Sequence, residues 1–476
     1  MLTLFGIYSD LYLGDETFHF RYATYMFQTH SRPLYDPLFG FSEEGRIYYV
    51  AGPLWATLLA SIWTVTGGIS QTTAQLYQVM YFVSLVILTG LLAKNFYGKQ
   101  VGLYSAIIIC TMPMVPVFSI ILHTDLPIAV FSVLCFYLLT KKKFFWAGLV
   151  LGLAFLTKRN IYLLTPFLIF LVPGEDIKDK ARNLFRGFVP FCIVTIPDFY
   201  FRYTNFGFDF LYHFKRISPL EGKYINIIER FVDSPDSPKY VFYDQDNILY
   251  EPTALITRFG IVFWVALLSY FITRKHNKKD WSLWLLISGY TALFLYFFRG
   301  NYAIRYLLPI IPFLCVIAAV GFTNIKSKFI RYILILGCIT QLLYASVYTF
   351  YQRTIPPGLE QTYSFIKTYT PEDSCIMTTK NSLSLHTGRR SMWGTYGSLV
   401  EIGYLFWDAN EQEALEILIR YKITHLLVEK DRIYDDTKII HLGGYPKSFV
   451  QKIQSWKCFR KIFENDEIVL WELIKV

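Results

Sequence analysis

The stretch VGLYSAIIICTMPMVPVFSIILHTDLPIAVFSVLCFYLLTKKK, residues 101–143, decides the fold of this chain. It contains two apolar runs, 101–122 and 126–140, with a very short polar turn between them and three lysines at the end. A membrane-spanning helix needs about 20 mostly apolar residues, and loops rich in lysine and arginine stay on the cytoplasmic side. The stretch therefore predicts two antiparallel membrane helices whose turn lies outside and whose lysines lie inside.

The composition of the whole chain agrees with a membrane protein. Of its 476 residues, 54% are hydrophobic and only 17% are charged, and the mean hydropathy is +0.34. Soluble domains are about 25% charged. The net charge of +10 is carried by short loops between apolar runs. Because no basic face with base-stacking modules accompanies it, we expect no binding of nucleic acid.

Apolar segments continue almost without interruption up to Tyr351. Further spans are predicted at 75–97, 144–157, 161–173, 187–203, 255–273, 281–298, 302–322 and 330–350. When the spans alternate, four basic loops fall on one side, which must be the cytoplasm. These loops are 141–143, 178–186, 274–279 and 326–331.

The segment 51–68 lies between two pairs of turn residues and is short for a span. We expect an interfacial or re-entrant helix on the outer side. The alternative is a full span, which would move the preceding loop, 14–50, from the outer side to the cytoplasm.

From about Gln352 the charge rises and long apolar runs stop. The alternation of predicted elements indicates a small soluble α/β domain. These elements are helices at 361–369 and 411–421 and strands at 375–379, 424–429, 459–463 and 467–473. The predicted fold is thus a mainly α, polytopic transmembrane bundle over 1–352, with about 11–12 spanning or re-entrant helices, followed by an extracytoplasmic α/β domain over 353–476. The two cysteines of this α/β domain, Cys375 and Cys458, are expected to be free thiols rather than a disulfide.

Two acidic motifs fall at the outer membrane edge. The first, GDETFHFRYA, carries Asp15 and Glu16, with His19 one helical turn after Asp15. A partly buried carboxylate there can accept a proton from a hydroxyl group. The alternative interpretation is an acidic helix start favoured by the helix dipole.

The second acidic motif is the short turn that contains His123 and Asp125. Charged groups so close to hydrocarbon are expensive and are usually functional. The alternative interpretation makes Asp125 an N-cap two residues before Pro127. Together with the first motif, these side chains have the chemistry to hold a divalent Mg²⁺, Mn²⁺ or Zn²⁺ ion, although no recognised metal-binding spacing is present.

Four basic residues lie on the outer side against the general trend: Lys158, Arg159, Arg299 and Arg305. A bound phosphate would explain cations at this edge. Contact with anionic lipid headgroups is the alternative explanation.

The order of these motifs resembles that of the GT-C glycosyltransferases, in particular the branch of protein O-mannosyltransferases and aminoarabinose transferases. The matching motifs are Asp15-Glu16, the proline-bearing segment Gly52 to Trp55, Thr124 to Pro127, the glycine-rich run AGLVLGLAFLTKRN and the run RYLLPIIPFLCVIAA. The resemblance covers nearly the whole membrane region. One departure is that Val50-Ala51-Gly52 stands where aminoarabinose transferases usually carry a lysine, which argues against that particular substrate.

The resemblance implies an inverting transfer of a sugar from a polyprenyl- or dolichyl-phosphate donor to a protein, lipid or glycan acceptor. Asp15 would be the general base, with Glu16 and Asp125 beside it. Lys158, Arg159, Arg299 and Arg305 would hold the donor phosphate, and His19 and His123 would contact substrate or a metal. The enzyme would be a multi-pass protein of the plasma membrane, or of the endoplasmic reticulum in a eukaryote, in contact with membrane lipids.

Two other kinds of protein remain open at this stage. A transporter or lipid flippase would carry internal repeats and charges near the middle of the bilayer, whereas here the charges cluster at the outer rim. A polymerase or ligase acting on whole lipid-linked glycans would share the fold.

Overall fold

A computed structural model describes the chain over 14–33, 52–206, 252–273, 278–297, 304–352, 355–380, 382–393, 405–406, 409–434 and 445–474. The part before 353 is helical. Its helices are α1 Gly14–Thr29, α2 Pro53–Thr66, α3 Gln71–Tyr97, α4 Lys99–Thr111, α5 Met114–Phe118, α6 Asp125–Thr140, α7 Phe144–Thr157, α8 Thr165–Phe170, α9 Ile177–Phe206, α10 Pro252–Phe259, α11 Ile261–Thr273, α12 Lys278–Phe297, α13 Ile311–Asn324 and α14 Lys328–Gln352. Short 3₁₀ turns precede α8 at Arg159–Leu163 and α13 at Ile304–Leu307.

Within the described ranges, three helices are long and apolar enough to cross a membrane, judged by length and composition. They are α3, the Ile177–Asn205 part of α9 and the Lys328–Val347 part of α14. Five more helices, α2, α6, α7, α11 and α13, are apolar but shorter. With 14 residues, α2 is about 21 Å long, which is shorter than a hydrocarbon core of about 30 Å. Helix α7 has the same length, so the interfacial or re-entrant placement of α2 stays a prediction.

Four predicted spans are interrupted in the described part of the chain. The run 255–273 divides into α10 and α11 at Gly260, and in the run 302–322 a 3₁₀ turn precedes α13. The run 101–122 divides into α4 and α5, with Pro113 at the break, because proline cannot supply the N–H that continues a helix. The run 161–173 is a 3₁₀ turn followed by the six-residue α8. Non-helical backbone at membrane depth is tolerated where it is buried in protein, and Ile161, Leu163 and Leu164 are buried here.

The close contact between α7 and α9 depends on glycine. A Cβ atom at Gly148 would lie 1.8 Å from the carbonyl oxygen of Gly187, so only glycine permits this helix spacing. One turn further, a Cβ at Gly152 would lie 3.3 Å from the carbonyl oxygen of Phe191. The glycines of the run at 147–157 therefore bring α9 against α7 and fix the end of α7.

The part after 355 contains a small sheet with helices on both faces. Its helices are α15 Pro357–Tyr369, α16 Leu383–Thr387, α17 Glu411–Arg420 and α18 Lys447–Ser455. Its strands are β1 Cys375–Thr378, β2 Arg390–Trp393, β3 His425–Glu429, β4 Ile433–Tyr434, β5 Tyr445–Pro446, β6 Phe459–Glu464 and β7 Ile468–Leu473. Five strands form one sheet in the order β2-β1-β3-β7-β6, parallel among β2, β1 and β3 and antiparallel for β7 and β6.

Alternating side chains of the sheet enter two different cores, as the period of a strand requires. Ile376, Leu427 and Leu470 pack on the side of α15, whereas Met377 and Leu426 face the other side, where α17 and α18 contribute buried residues. The predicted alternation of strands and helices is confirmed for these segments. Strand β2 and helix α16 were not predicted.

The two C-terminal cysteines are free thiols, as predicted. Burial raises the pKa of the Cys375 thiol to about 11. Burial, together with the nearby Glu411 carboxylate, raises the pKa of Cys458 to about 11 as well. Both thiols are therefore protonated at neutral pH and poorly nucleophilic.

We expect Gly148→Ala to destabilise the protein because the new methyl group would overlap the backbone of Gly187. Overpacking of this kind typically costs about 1–3 kcal/mol. The measurement is thermal unfolding of the purified protein in lipid nanodiscs. Gly187→Ala is the matched control, since its Cβ would lie 3.2 Å from the nearest atom; equal unfolding temperatures for the two variants would contradict the close packing.

Candidate active site

Asp125 lies at the beginning of α6, where its side chain is buried. Thr124 takes the N-cap position, so Asp125 is the first helical residue and not the N-cap that one interpretation of the sequence predicted. The positive end of the helix dipole favours a carboxylate at this place. The turn between α5 and α6 thus presents a negative charge in a buried setting.

Two cationic or polar groups hold this carboxylate. The Lys158 Nζ lies 2.6 Å from one carboxylate oxygen of Asp125, and the His123 Nδ1 lies 2.5 Å from the other. The side chain of Asp125 is 2% exposed and that of Lys158 is 18% exposed. Since one end of this ion pair is buried and the other reaches the surface, Lys158 is available to a substrate while it stays bound to Asp125.

The Arg305–Tyr306 pair completes this side of the site. The Lys158 Nζ lies 5.0 Å from the centre of the Tyr306 ring, and the Arg305 guanidinium lies 5.4 Å from the same ring. Arg305 is also close enough to Asp125 for a direct electrostatic attraction. Cations over an aromatic face are stabilised by the ring quadrupole. We call the group of Asp125, His123, Lys158, Arg305 and Tyr306 the Asp125 centre.

The sequence explains why Lys158 points toward Asp125. Helix α7 ends at Thr157, and Lys158 has an extended backbone with φ −155° and ψ 131°. The side chains of successive residues in extended backbone point to opposite sides. The neighbouring Arg159 accordingly points away from Asp125 and lies 3.8 Å from Asp198, together with Arg32 and Arg202.

The proline-bearing segment braces the end of α7. The Gly52 N–H donates to the carbonyl oxygen of Thr157 at 3.1 Å, and a Cβ at Gly52 would lie 1.8 Å from the carbonyl oxygen of Leu156. Pro53 then begins α2 in the first helical turn, where its missing N–H costs nothing. This motif therefore fixes the backbone that carries Lys158.

A chain of hydrogen bonds connects α2 to the turn between α5 and α6. The Trp55 indole N–H donates to the side-chain oxygen of Gln78 at 3.2 Å, and the Gln78 amide donates to the carbonyl oxygen of His123 at 2.8 Å. Gln78 is fully buried in α3. It was not predicted as a site residue, although a polar residue within an apolar run is a signal that sequence alone offers.

Helix α1 carries the first acidic motif to the same turn. The Glu16 carboxylate is buried and accepts a hydrogen bond from the Leu122 N–H at 3.2 Å. The His19 ring lies 5.4 Å from the His123 ring and 5.6 Å from that of Trp55. The two predicted acidic motifs therefore meet, since Glu16 and His19 contact the residues just before Asp125.

Other predicted site residues fall partly or wholly outside the described part of the chain. The backbone of Asp15 belongs to the first turn of α1, but its side chain lies outside the described residues, as does the whole of Arg299. Most of the segment between α9 and α10 also lies outside them.

The metal site remains a prediction. Among the side chains that are described, no group of three histidine, cysteine or acidic residues is arranged to hold a metal ion. His123 is engaged with Asp125, and Glu16 with a backbone N–H. A metal at this place would thus depend on Asp15.

Helix α1 also contacts the C-terminal domain. The Arg21 guanidinium donates a short hydrogen bond to the hydroxyl group of Ser384. Leu385 packs against the core that includes Tyr22 and Trp63. Helix α16 therefore contacts α1 at residues that follow the acidic motif.

The ion pair of Asp125 and Lys158 predicts strong energetic coupling. Removing one partner of a buried pair leaves an uncompensated charge and typically costs about 3–5 kcal/mol. We expect Lys158→Met to destabilise the protein, and Asp125→Asn with Lys158→Met to cost less than the sum of the two single changes, by on the order of 1–3 kcal/mol. The measurement is reversible unfolding in mixed micelles.

The exposed Lys143 provides the control, because Lys143→Met should show no coupling to Asp125→Asn. Additive effects in the Asp125 and Lys158 cycle would mean that the two side chains do not form a pair.

Comparison with known proteins finds one matching family model, one relative in sequence and several solved structures of similar fold. Residues 51–198 match the family model of dolichyl-phosphate-mannose-protein mannosyltransferase. An uncharacterized protein of Aquifex aeolicus (strain VF5) is 23% identical over 362 residues, which cover 74% of this chain and 76% of that protein.

Two solved structures share the fold over most of this chain. The first is ArnT from Cupriavidus metallidurans bound to undecaprenyl phosphate, with a TM-score of 0.66, 12% identity and coverage of 98% of this chain and 96% of that chain. The second is the archaeal oligosaccharyltransferase AglB from Archaeoglobus fulgidus in complex with an inhibitory peptide and a dolichol-phosphate. Its TM-score is 0.60 at 11% identity, and the match covers 88% of this chain and 66% of that chain. The chain therefore has the fold of the GT-C glycosyltransferases, as the resemblance in its motifs predicted.

Proposed function

We propose that this protein is a membrane glycosyltransferase that moves a sugar from a polyprenyl- or dolichyl-phosphate donor to an acceptor hydroxyl group. The observation that supports the proposal best is the Asp125 centre, in which a buried carboxylate holds Lys158 beside Arg305. A paired lysine and arginine at one edge are suited to a phosphate group. The fold is shared with proteins whose structures contain undecaprenyl phosphate and dolichol-phosphate.

The proposed reaction is a single inverting displacement. An oxygen of the acceptor attacks the anomeric carbon of the sugar, and the bond from that carbon to the phosphate oxygen breaks. The electron pair leaves with the lipid phosphate, whose charge Lys158 and Arg305 stabilise. The acceptor proton passes to the carboxylate of Asp15, the proposed general base.

Two contacts support Asp15 in this role. Its neighbour Glu16 is bound to the backbone N–H of Leu122, which places the first turn of α1 beside the outer turn. Asp125 is already committed to Lys158 and His123 and is therefore better suited to orienting Lys158 than to accepting a proton. The acceptor is a protein, a lipid or a glycan, and a polymerase or ligase of lipid-linked glycans would use the same arrangement.

We expect Asp15→Asn to lose about 10²- to 10⁴-fold in turnover, the usual contribution of general acid–base catalysis. Binding of the lipid-phosphate donor should remain, because the amide keeps the size of the side chain. The measurement is the transfer rate of purified protein in nanodiscs, with donor binding determined in parallel. Asp373→Asn, an exposed change in the C-terminal domain, is the control and should leave both quantities unchanged.

If Asp15→Asn keeps nearly full activity, the base is another residue and Asp125 is the first to test. If donor binding is lost instead, Asp15 is structural or a metal ligand.

The same proposal places the α/β domain outside the cytoplasm, on the side of the Asp125 centre. We expect a cysteine introduced at Glu372 to react with an impermeant maleimide added outside intact cells, and a cysteine at Lys142 to react only after the membrane is permeabilised. Both positions are exposed. The parent protein gives the background from its own cysteines, and labelling of Glu372→Cys only after permeabilisation would overturn the topology.

A further inference from the structure

A second charged cluster lies next to the Asp125 centre and has no part in the proposed reaction. Asp198 in α9 is surrounded by three arginines from different parts of the chain: Arg32 at 2.5 Å, Arg202 at 2.9 Å and Arg159 at 3.8 Å. We call these four residues the arginine cluster. Arg32 follows α1, Arg159 begins the 3₁₀ turn after α7, and Arg202 lies one turn beyond Asp198.

The charges of the arginine cluster do not balance. Three guanidinium groups face one carboxylate, so the four side chains carry a net charge of +2. Each arginine side chain is only 14–16% exposed, and that of Asp198 is 3% exposed. Partly buried cations are costly when they are not neutralised, so this arrangement favours the binding of an anion.

Several donors of the cluster are available to such an anion. Within the described part of the chain, the Nε atom of Arg159 and the Nη2 atom of Arg202 are buried and make no hydrogen bond, and the Nη2 atom of Arg159 approaches Asp198 only to 3.8 Å. Aromatic rings lie beside two of the guanidinium groups: Arg32 lies 4.2 Å from the centre of the Phe201 ring, and Arg159 lies 5.8 Å from that of Phe155. Fixed guanidinium groups with free N–H donors match the oxygens of a phosphate.

The cluster is separate from the Asp125 centre, although the two are joined through neighbouring residues of the chain. Lys158 and Arg159 are adjacent, and their Cα atoms are therefore about 3.8 Å apart. The extended backbone at Lys158 turns the two side chains to opposite sides. One basic pair in the sequence thus serves two anion-attracting centres.

We propose that Arg32, Arg159 and Arg202 form a second phosphate-binding site, distinct from the Asp125 centre. The phosphate belongs either to a substrate of the transfer reaction or to the headgroup of an anionic phospholipid. Asp198 positions the three guanidinium groups and competes with the phosphate for them.

Direct binding tests this proposal without any assumption about catalysis. The probe is inorganic pyrophosphate, titrated at constant ionic strength onto the full-length protein in phosphatidylcholine nanodiscs, with the unfolding temperature as the readout. We expect Arg202→Gln and Arg32→Gln to weaken the stabilisation by pyrophosphate at least about tenfold, as is usual for a lost charge-assisted hydrogen bond. Arg182→Gln, an exposed arginine of the same helix, is the matched control and should bind as the wild type does.

Asp198→Asn should change pyrophosphate binding in the opposite direction from the arginine variants. Without the carboxylate the three arginines repel one another, so the variant should be less stable than the wild type in the absence of pyrophosphate. It should bind pyrophosphate more tightly and regain stability when it does. Unchanged binding in Asp198→Asn and in both arginine variants would overturn the proposal and leave the cluster as a structural ion pair.

Two further arms distinguish the source of the phosphate. A rise in the KM of Arg202→Gln for donor or acceptor, with kcat unchanged, would assign the site to that substrate; this arm rests on the proposed function. If the site binds a phospholipid headgroup, pyrophosphate should no longer stabilise the wild type in phosphatidylglycerol nanodiscs, because the lipid already fills the site. The KM values of Arg202→Gln should then be unchanged. Wild-type binding of pyrophosphate by a protein that transfers no sugar would refute the proposed function and keep this site.

Discussion

The site depends on the buried ion pair between Asp125 and Lys158. A carboxylate at the start of α6 and an ammonium group at the end of α7 are each costly near hydrocarbon, and each compensates the other. The pair therefore fixes where α7 must end relative to the turn between α5 and α6. The glycine contacts of α7 with α9 and the Gly52 contact with Leu156 and Thr157 maintain the same geometry from the other sides.

One backbone angle converts this packing into two chemically different sites. Because Lys158 leaves α7 in an extended conformation, it faces Asp125 while Arg159 faces Asp198. A helix continued through these residues would separate the two side chains by about 100° and would not aim them at carboxylates of different helices. The basic pair that looks like one phosphate-binding motif in the sequence is divided between two carboxylates in the structure.

The sequence predicts well what depends on local pattern. Apolar runs, basic loops and the order of the motifs predicted the helical membrane fold. The motifs also named Asp125, Lys158 and Arg305 as candidate site residues, and the structure is what shows that they lie together. The proline at 113 was available as a signal for the break in the run 101–122 and was not used. Strand β2, with the sequence RSMW, is too short and too polar to show the period of a strand.

The arginine cluster could not be predicted from the sequence, for a different reason. Asp198 and Arg202 are one helical turn apart in α9, but Arg32 follows α1 and Arg159 follows α7. Arg32 and Asp198 are 166 positions apart, so no local pattern relates these two arginines to Asp198. Asp198 itself was detectable, since a carboxylate within an apolar membrane segment is a functional candidate by default. The glycine-dependent contact between α7 and α9 brings the end of α7, and with it Arg159, to Asp198.

We propose that the lipid-phosphate sugar is the substrate and that Lys158, oriented by Asp125, holds its phosphate together with Arg305. The most direct measurement is release of radiolabelled sugar from a polyprenyl-phosphate sugar by the purified protein in nanodiscs, with a nucleotide sugar offered in parallel. We expect release of sugar from the lipid donor and none from the nucleotide sugar. Lys158→Ala should lose most of the release from the lipid donor. Release from the nucleotide sugar alone, or full release from the lipid donor in Lys158→Ala, would contradict it.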